Sequence, residues 1–475
     1  MKEKTRQILI KIYEKQFKEK VKNISKLARS GSNREYYRIR SDNNSAIGVY
    51  NSDKKENIAF IEFTKHFLEN DLNAPKIYQS DLKKNVYLEE DLGDKTLFEF
   101  LSNVYQKGIF PQNLIDLYKN ILTILPKIQI NVDKKIDYSK CYPRKSFDRQ
   151  SMMWDLNYFK YYFLKLVKVS FDEQLLEDDF QKFCDYLLDV ENNFFLYRDF
   201  QSRNIMLKDN KIYFIDYQGG RKGALQYDVA SLLYDAKANI PDHIREELLK
   251  HYINKLQNYV KIDEQKFVKQ YYGYVLIRIM QAMGAYGFRG FYERKEHFLK
   301  SIPYAIKNLK FILKNIDLPI EIPILMEALN NVVESKYLKK IGNKKNNLQV
   351  RINSFAYKKG IPGDAKGNGG GFVFDCRGIL NPGRIDEYKN MIGKDKIVQE
   401  FLENETEIND FLTNAFVLVD KTVENYISRN FTDLLVNFGC TGGQHRSVYC
   451  AEKLSKHLEN KFDISVNLNH RELES

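Results

Sequence analysis

One stretch, residues 194–218, constrains this chain more than any other. It opens with the apolar run 194–197, which reads as a short buried strand. A polar loop follows, and then two more apolar runs, 205–207 and 212–215, separated by Lys208-Asp209-Asn210-Lys211, a hairpin signal. Asp199, Asn204 and Asp216 therefore fall where strands end and loops begin, positions from which a rigid scaffold can aim a side chain. The spacing R-D-x4-N, followed by a strand ending in Asp, supplies what phosphoryl transfer from ATP requires. A carboxylate accepts the hydroxyl proton, and oxygen ligands hold Mg²⁺ on the phosphates. The pattern points to Asp199 as the base and to Asn204 and Asp216 as the metal ligands, because Mg²⁺ prefers hard oxygen donors. The competing reading is that three Asx residues simply cap turns.

At 475 residues the chain is too long for a single core, and two or three domains are expected. A hydrophobic fraction of 43% and an aromatic fraction of 13% predict packing rather than disorder. The net charge of +12 suits anionic ligands such as nucleotides or RNA, although a diffuse lysine excess is commonly a solvated surface. Cys141, Cys184, Cys376, Cys440 and Cys450 form no CxxC pair, which argues against a disulfide framework or a zinc site. The beginning, Met1-Lys2-Glu3-Lys4, leads into an amphipathic stretch, and no run approaches about 18 apolar residues. The expectation is a soluble, cytoplasmic protein with no membrane span.

Ahead of the central stretch, residues 3–20 read as a helix and 24–28, 35–40 and 46–50 as strands. Between the first two strands lies Arg29-Ser30-Gly31-Ser32-Asn33-Arg34, a small polar turn whose N–H groups can approach a phosphate; as a bare motif it is equally a plain hairpin turn. Residues 56–70 read as a helix carrying Glu62, and 85–93 as a strand, an acidic turn and a glycine before a helix starting at Thr96. From 111 onward the pattern is helical: 111–130, 147–169 and 171–190, then, beyond the central stretch, 224–238, 242–259, 263–286 and 291–316. After Pro319 and Pro323 comes one more helix, from 324 to about 340. Lys336, Lys339, Lys340, Lys344 and Lys345 form a basic segment that reads as a solvated linker. Past it, strands at 348–355, 371–377 and 434–438 alternate with helices at 394–404, 407–424 and 447–460, the pattern of a small α/β domain.

Residues 1 to about 330 resemble the aminoglycoside phosphotransferase and choline kinase group, nearest to the cell-wall sugar kinases of the AmgK type. The residues that carry this are Tyr197-Arg198-Asp199-Phe200-x3-Asn204, Ile215-Asp216-Tyr217-Gln218 and the run 227–235, Tyr-Asp-Val-Ala-Ser-Leu-Leu-Tyr-Asp. Ser30-Gly31-Ser32-Asn33 and Glu90-Asp91-Leu92-Gly93 match in place. The resemblance implies an α+β, protein-kinase-like bilobal domain, with an N-lobe of about 1–93 and a C-lobe of about 94–330. It implies ATP held by Ser30, Gly31, Ser32, Asn33 and Glu89, with 89–93 as the adenine-facing hinge, Arg198 and Asp228 supporting the catalytic loop, and an amino-sugar acceptor. Two residues depart from the family pattern. Tyr197 replaces the usual His, and the third strand ends Ile47-Gly48-Val49-Tyr50 with no lysine for the phosphates. Either another cation serves there, or the domain is a non-catalytic pseudokinase scaffold.

After the basic linker, 331–347, residues 348–475 carry a second motif. Cys440-Thr441-Gly442-Gly443-Gln444-His445-Arg446-Ser447 follows a strand and precedes a helix, so free N–H groups and the helix dipole favour an anion, with Arg446 as a bidentate phosphate partner. The same residues match C-x5-R-S, the spacing of cysteine-dependent phosphatases. That reading makes Cys440 a nucleophile with Asp410 or Asp420 as general acid, but Gly439 stands where such enzymes have His. Together with Ser354-Phe355-x-Tyr357-Lys358-x-Gly360-x-Pro362, Phe374-Asp375-Cys376-Arg377 and Asn381-Pro382-Gly383-Arg384, the loop resembles the RapZ C-terminal domain. That family implies binding of glucosamine 6-phosphate through Cys440, Thr441, Gly442, Gly443, His445 and Arg446, and in some members of a small RNA. The sequence thus leads to an ATP- and Mg²⁺-dependent small-molecule kinase joined to a sugar-phosphate-sensing domain.

Overall fold

The structure, a computed structural model, describes residues 2–27, 34–105, 110–342, 348–429, 431–462 and 464–473. The phosphate-loop candidates Ser30, Gly31, Ser32 and Asn33, and Lys344 and Lys345 of the basic segment, lie outside the described residues. The chain divides into two compact units, Met1–Glu293 with His297–Lys339, and Arg294–Glu296 with Lys340–Ser475. Among the described residues no helix is long and apolar enough to cross a membrane.

The first unit opens with an antiparallel sheet of β1 (Asn23–Lys26), β2 (Glu35–Arg40), β3 (Ser45–Tyr50), β4 (Ile77–Asp81) and β5 (Val86–Glu90), in the order β1-β2-β3-β5-β4. The N-terminal helix Lys2–Phe17 buries Leu9, Ile12 and Tyr13 against Tyr37, Ile39, Ala46, Val86 and Leu88 of this sheet. Helix Lys54–Glu69, capped by the Asp53 side chain, packs Phe60 against Tyr87 at 5.5 Å and against Tyr217 at 4.9 Å. It thereby joins the sheet to the loops that follow. β4 has no counterpart in the sequence reading. Its residues Ile77-Tyr78-Gln79-Ser80-Asp81 lie at the sheet edge, mostly half-buried, and pair through a register irregularity, so they leave no alternating apolar signature.

The remainder of this unit is helical around the long helix Glu264–Gly287, with β6 (Phe194–Leu196) paired to β9 (Arg221–Gly223) and β7 (Ile205–Lys208) paired to β8 (Lys211–Phe214). The single helix expected over 291–316 is instead broken into Glu296–Leu299 and Ile302–Asn315. Pro303 sits in the first turn of the second piece, where a missing N–H costs nothing but a continuous helix would clash. The supposed linker is packed at its start. Helix Pro323–Glu334 buries Val332 and Val333, and its first N–H groups, Ile324 and Leu325, donate to the buried Asp179 carboxylate at 2.7 and 3.0 Å.

The second unit is a parallel sheet, β11 (Phe372–Asp375), β12 (Asp433–Cys440), β10 (Gln349–Ala356) and β13 (Ser465–His470), in the order β11-β12-β10-β13. Helices Lys396–Glu405, Ile408–Ser428 and Arg446–Lys461 belong with it, as expected of an α/β domain, and its core is built on Val350, Ile352, Val436 and Phe438. The chain is thus a kinase-like mixed α and β unit followed by a small α/β unit.

Candidate functional site

β6 ends where a tight loop must turn the chain toward the cleft. The loop is held from beneath by Asp228, a fully buried carboxylate in the first turn of helix Gln226–Leu233. One Asp228 oxygen accepts the Tyr197 N–H at 2.8 Å and the other the Arg198 N–H at 3.0 Å. Burial pushes Asp228 up to about 7, while these two N–H groups pull it down. Arg198 adopts φ of 82°, a left-handed conformation uncommon for a side chain of this size. Its guanidinium is pinned by Asp155 at 2.6 Å and the Tyr227 hydroxyl at 2.6 Å, and lies over the Phe147 ring. Tyr197, in the place of the family's His, is fully buried and donates its hydroxyl to the Ile215 carbonyl. It ties the loop bearing Asp199 to the one bearing Asp216.

These braces bring the three oxygen-bearing side chains together. Asn204 Nδ2 donates to the Asp199 carbonyl at 2.8 Å and approaches Asp216 Oδ2 at 3.4 Å. Among the described residues the Asn204 Oδ1 accepts no hydrogen bond, which leaves an amide oxygen and the Asp216 carboxylate as hard donors beside one another. That donor set fits Mg²⁺. Gln218 Nε2 fixes Asp216 Oδ1 at 2.7 Å, and Asp216 itself sits at φ of 67°. Asp199 is held above the usual carboxylate range, first by burial and then by the Asp216 charge, against the pull of Arg198, Arg278 and Arg221. A carboxylate raised in this way is a better proton acceptor than an ordinary surface Asp.

All three line a cleft of about 660 Å³ that also takes in Arg34, Tyr36 and Glu89 from the strand-rich part and Arg203, Asp235, Lys237 and Arg278 from the helical part. Glu89 stands in a different setting from the hinge expected of it. β5 pairs with β3 through Ala46 and Glu90, so the linker starts only at Asp91. The Glu89 side chain instead turns into the cleft, 8% exposed and with Oε2 lacking a partner among the described residues. Burial pushes it up to about 8, with Arg34 pulling it down and Asp216 pushing it up. The linker is fixed by Arg38, which binds Asp91, Asp94 and the Gly93 carbonyl. The glutamate singled out by the sequence on helix Lys54–Glu69 is Glu62, yet the one that lies against the cleft's arginine is Glu56. Glu62 pairs with Lys140 at 2.9 Å, whereas Glu56 Oε1 meets Arg34 Nη2 at 3.0 Å.

In the second unit, β12 runs into the loop 441–445 and helix Arg446–Lys461. Thr441 and Gly442 are exposed, while Gly443, His445 and Arg446 are buried. The Cys440 sulfur is buried; it accepts the Gly443 N–H at 3.2 Å and lies 3.1 Å from the Ser447 hydroxyl. Arg446 was expected to offer both guanidinium nitrogens to an anion. Its Nη1 instead donates to the carbonyls of Ile379, at 2.5 Å, and Arg377, at 3.2 Å; only Nη2 turns toward Thr441, and Nε has no partner among the described residues. His445 reaches the Tyr388 carbonyl at 3.1 Å. Asp420 is bound by His457 at 2.9 Å and Lys461 at 2.7 Å, about 16 Å along the helix from its N-terminus, and Asp410 is exposed, so neither is set as a general acid for Cys440. Gly439, the residue in place of the phosphatases' His, has no room for a side chain. A Cβ there would lie 2.5 Å from the rings of Phe355 and Tyr357.

The phosphotransferase enzyme family matches residues 24–264, and the RapZ C-terminal domain matches residues 348–474. Among curated proteins, a nucleotide-binding protein of Endomicrobium trichonymphae is 39% identical over 126 residues, covering 26% of this chain and 42% of the relative. One of Fervidobacterium nodosum is 33% identical over 175 residues, covering 37% and 59%. The chain thus spans only about two-fifths to three-fifths of the length of these relatives. Among solved structures, choline kinase LicA from Streptococcus pneumoniae superposes with a TM-score of 0.41 at 14% identity, covering 65% of this chain and 99% of that one. Amicoumacin kinase hAmiN in complex with AMP-PNP, Ca²⁺ and Ami superposes with 0.47 at 11% identity, covering 67% and 96%. The chain belongs to the phosphotransferase enzyme family and carries, after that domain, a RapZ C-terminal domain.

Proposed function

We propose that the first unit transfers the γ-phosphoryl group of ATP to a hydroxyl of an amino sugar, and that the second binds a phosphorylated amino sugar. The observation that carries the first part is the convergence of Asp199, Asn204 and Asp216 in one cleft. In this reading Asp199 takes the proton of the acceptor hydroxyl, its raised affinity for that proton coming from burial and from Asp216. Asn204 and Asp216 would hold Mg²⁺, which neutralises charge on the transferring phosphate when bound. Arg198 and Asp228 keep the Asp199 loop in its strained turn, so no reorganisation is needed at the moment of transfer. The helical end of the cleft carries Arg203, Lys237 and Arg278 against Asp235. This favours an acceptor bearing a carboxylate, such as N-acetylmuramate, over a cationic aminoglycoside or choline.

An ATP-consumption screen over N-acetylmuramate, N-acetylglucosamine, glucosamine, choline and an aminoglycoside tests the reading, with the product's phosphorylated position read by NMR. Consumption with an amino sugar that disappears in Asp199→Ala is the expected result. No acceptor-dependent consumption with any of the five returns the chain to the pseudokinase reading, for which the lysine-free β3 is the supporting feature. For the second unit, calorimetric titration with glucosamine 6-phosphate is expected to give saturable binding that weakens in Thr441→Ala. Absence of binding removes the sensing role.

A further inference from the structure

The strand-rich part of the cleft holds one cation among the described residues that line it, and it is not on β3. Residues 45–50 are Ser, Ala, Ile, Gly, Val and Tyr, and Lys54 and Lys55 beyond them are exposed on the first turn of helix Lys54–Glu69. Arg34 enters instead from the start of β2. The antiparallel register pairs Glu35 with Tyr50, so Arg34 reaches the cleft beside the end of β3. It is 2% exposed and lines the cavity.

Carboxylates flank its guanidinium on two sides. Nη2 meets Glu56 Oε1 at 3.0 Å, and Glu56 is held in turn by the Asn51 side chain at 2.7 Å. Nη1 faces Asp216 Oδ1 at 3.5 Å, well outside the roughly 2.7–2.9 Å of a tight charge-assisted bond. The guanidinium therefore lies between the Glu56 carboxylate of the helix and the Asp216 carboxylate, beside which the nucleotide's phosphates belong. A guanidinium suits this place because it stays charged when buried and presents its donors as a planar fork that matches phosphate oxygens.

We propose that Arg34 is the cation that holds the donor nucleotide's phosphates, in place of the lysine absent from β3, with Glu56 as its positioning partner. This rests on the phosphotransferase reading above. It assigns the phosphate contact to an arginine just before β2, the strand next to the usual one, and it answers the main objection to catalysis.

Equilibrium binding by the full-length chain tests it, using AMP-PNP and adenosine with Mg²⁺ present, on wild type, Arg34→Gln and Arg34→Lys. The wild type should prefer AMP-PNP. Arg34→Gln should weaken AMP-PNP about 10- to 100-fold, the range of a hydrogen bond to a charged group, and leave adenosine within about twofold. Arg34→Lys should fall between, since it keeps the charge without the fork. An unchanged ratio of the two affinities in Arg34→Gln, or an equal loss of both, overturns the assignment and leaves Arg34 as a strut between β2 and the helix. Should Arg34→Gln fail to fold by circular dichroism, Arg34→Lys decides, and an unchanged ratio there overturns it equally. A wild type that binds neither ligand, or shows no preference for AMP-PNP, sinks the phosphotransferase reading and this inference with it.

Discussion

Asp199, Glu89 and Asp228 are three carboxylates in one fold with three different surroundings, and each yields a measurable consequence. Asp199 is raised by burial and by Asp216, so its deprotonated, proton-accepting form is lost on acidification at a higher pH than for an ordinary carboxylate. Turnover should therefore have an acid limb above the usual range near pH 4, and that limb should vanish, with turnover down about 10²–10⁴-fold, in Asp199→Ala. A pH profile of kcat for both proteins checks this. Glu89 is raised to about 8, so the folded state binds a proton that the unfolded chain releases between about pH 4.5 and 8. Stability should fall as pH rises through that window. Glu89→Gln should flatten the fall and be the more stable protein at pH 8 by up to about 4 kcal/mol, read from urea unfolding at several pH values. Asp228 uses both oxygens on backbone N–H groups. Asp228→Asn turns an amide NH₂ toward one of those donors, and should cost about 1–3 kcal/mol in the same measurement.

At the scale of elements, most helices and core strands were legible because their apolar periodicity is local. Helix Lys54–Glu69, strands β2 and β3, and the β7–β8 hairpin follow directly from it. What escaped were edges and breaks. β4 and β13 each have one side open, and β13 alternates only Val466 and Leu468 with polar residues. Their place in a sheet comes from the neighbour they pair with. The break before Ile302 was marked by Pro303, but the long apolar run around it masked the signal. Close packing is equally hidden from periodicity. The long helix Glu264–Gly287 approaches the 160–164 segment so tightly that a Cβ on Gly287 would lie 1.8 Å from the Tyr162 carbonyl oxygen. Gly287→Ala should force the two apart, lowering stability by about 1–3 kcal/mol in urea despite alanine's better helix propensity.

For the whole molecule, two units each with a buried core predict two unfolding transitions in calorimetry rather than one. AMP-PNP should raise only the transition of the first unit and glucosamine 6-phosphate only that of the second, each by about 2.7 kcal/mol at 100 times its Kd. A single transition moved by both ligands would show that the units unfold together. The sequence by itself determined the two-domain plan and marked the candidate catalytic stretch, because Asp199, Asn204 and Asp216 lie within 18 residues of one another and their spacing is a local property. Tertiary structure alone decided how that stretch is surrounded. Arg34 meets Asp216 across 182 positions of sequence, Glu56 rather than Glu62 is its partner, and Glu89 sits buried in the cleft instead of in the linker. Arg446 likewise spends Nη1 on carbonyls 67 and 69 residues away. Charge pairing falls off over a few ångströms in space and pays no heed to chain order, so the partners of a buried ion emerge only when the chain has folded.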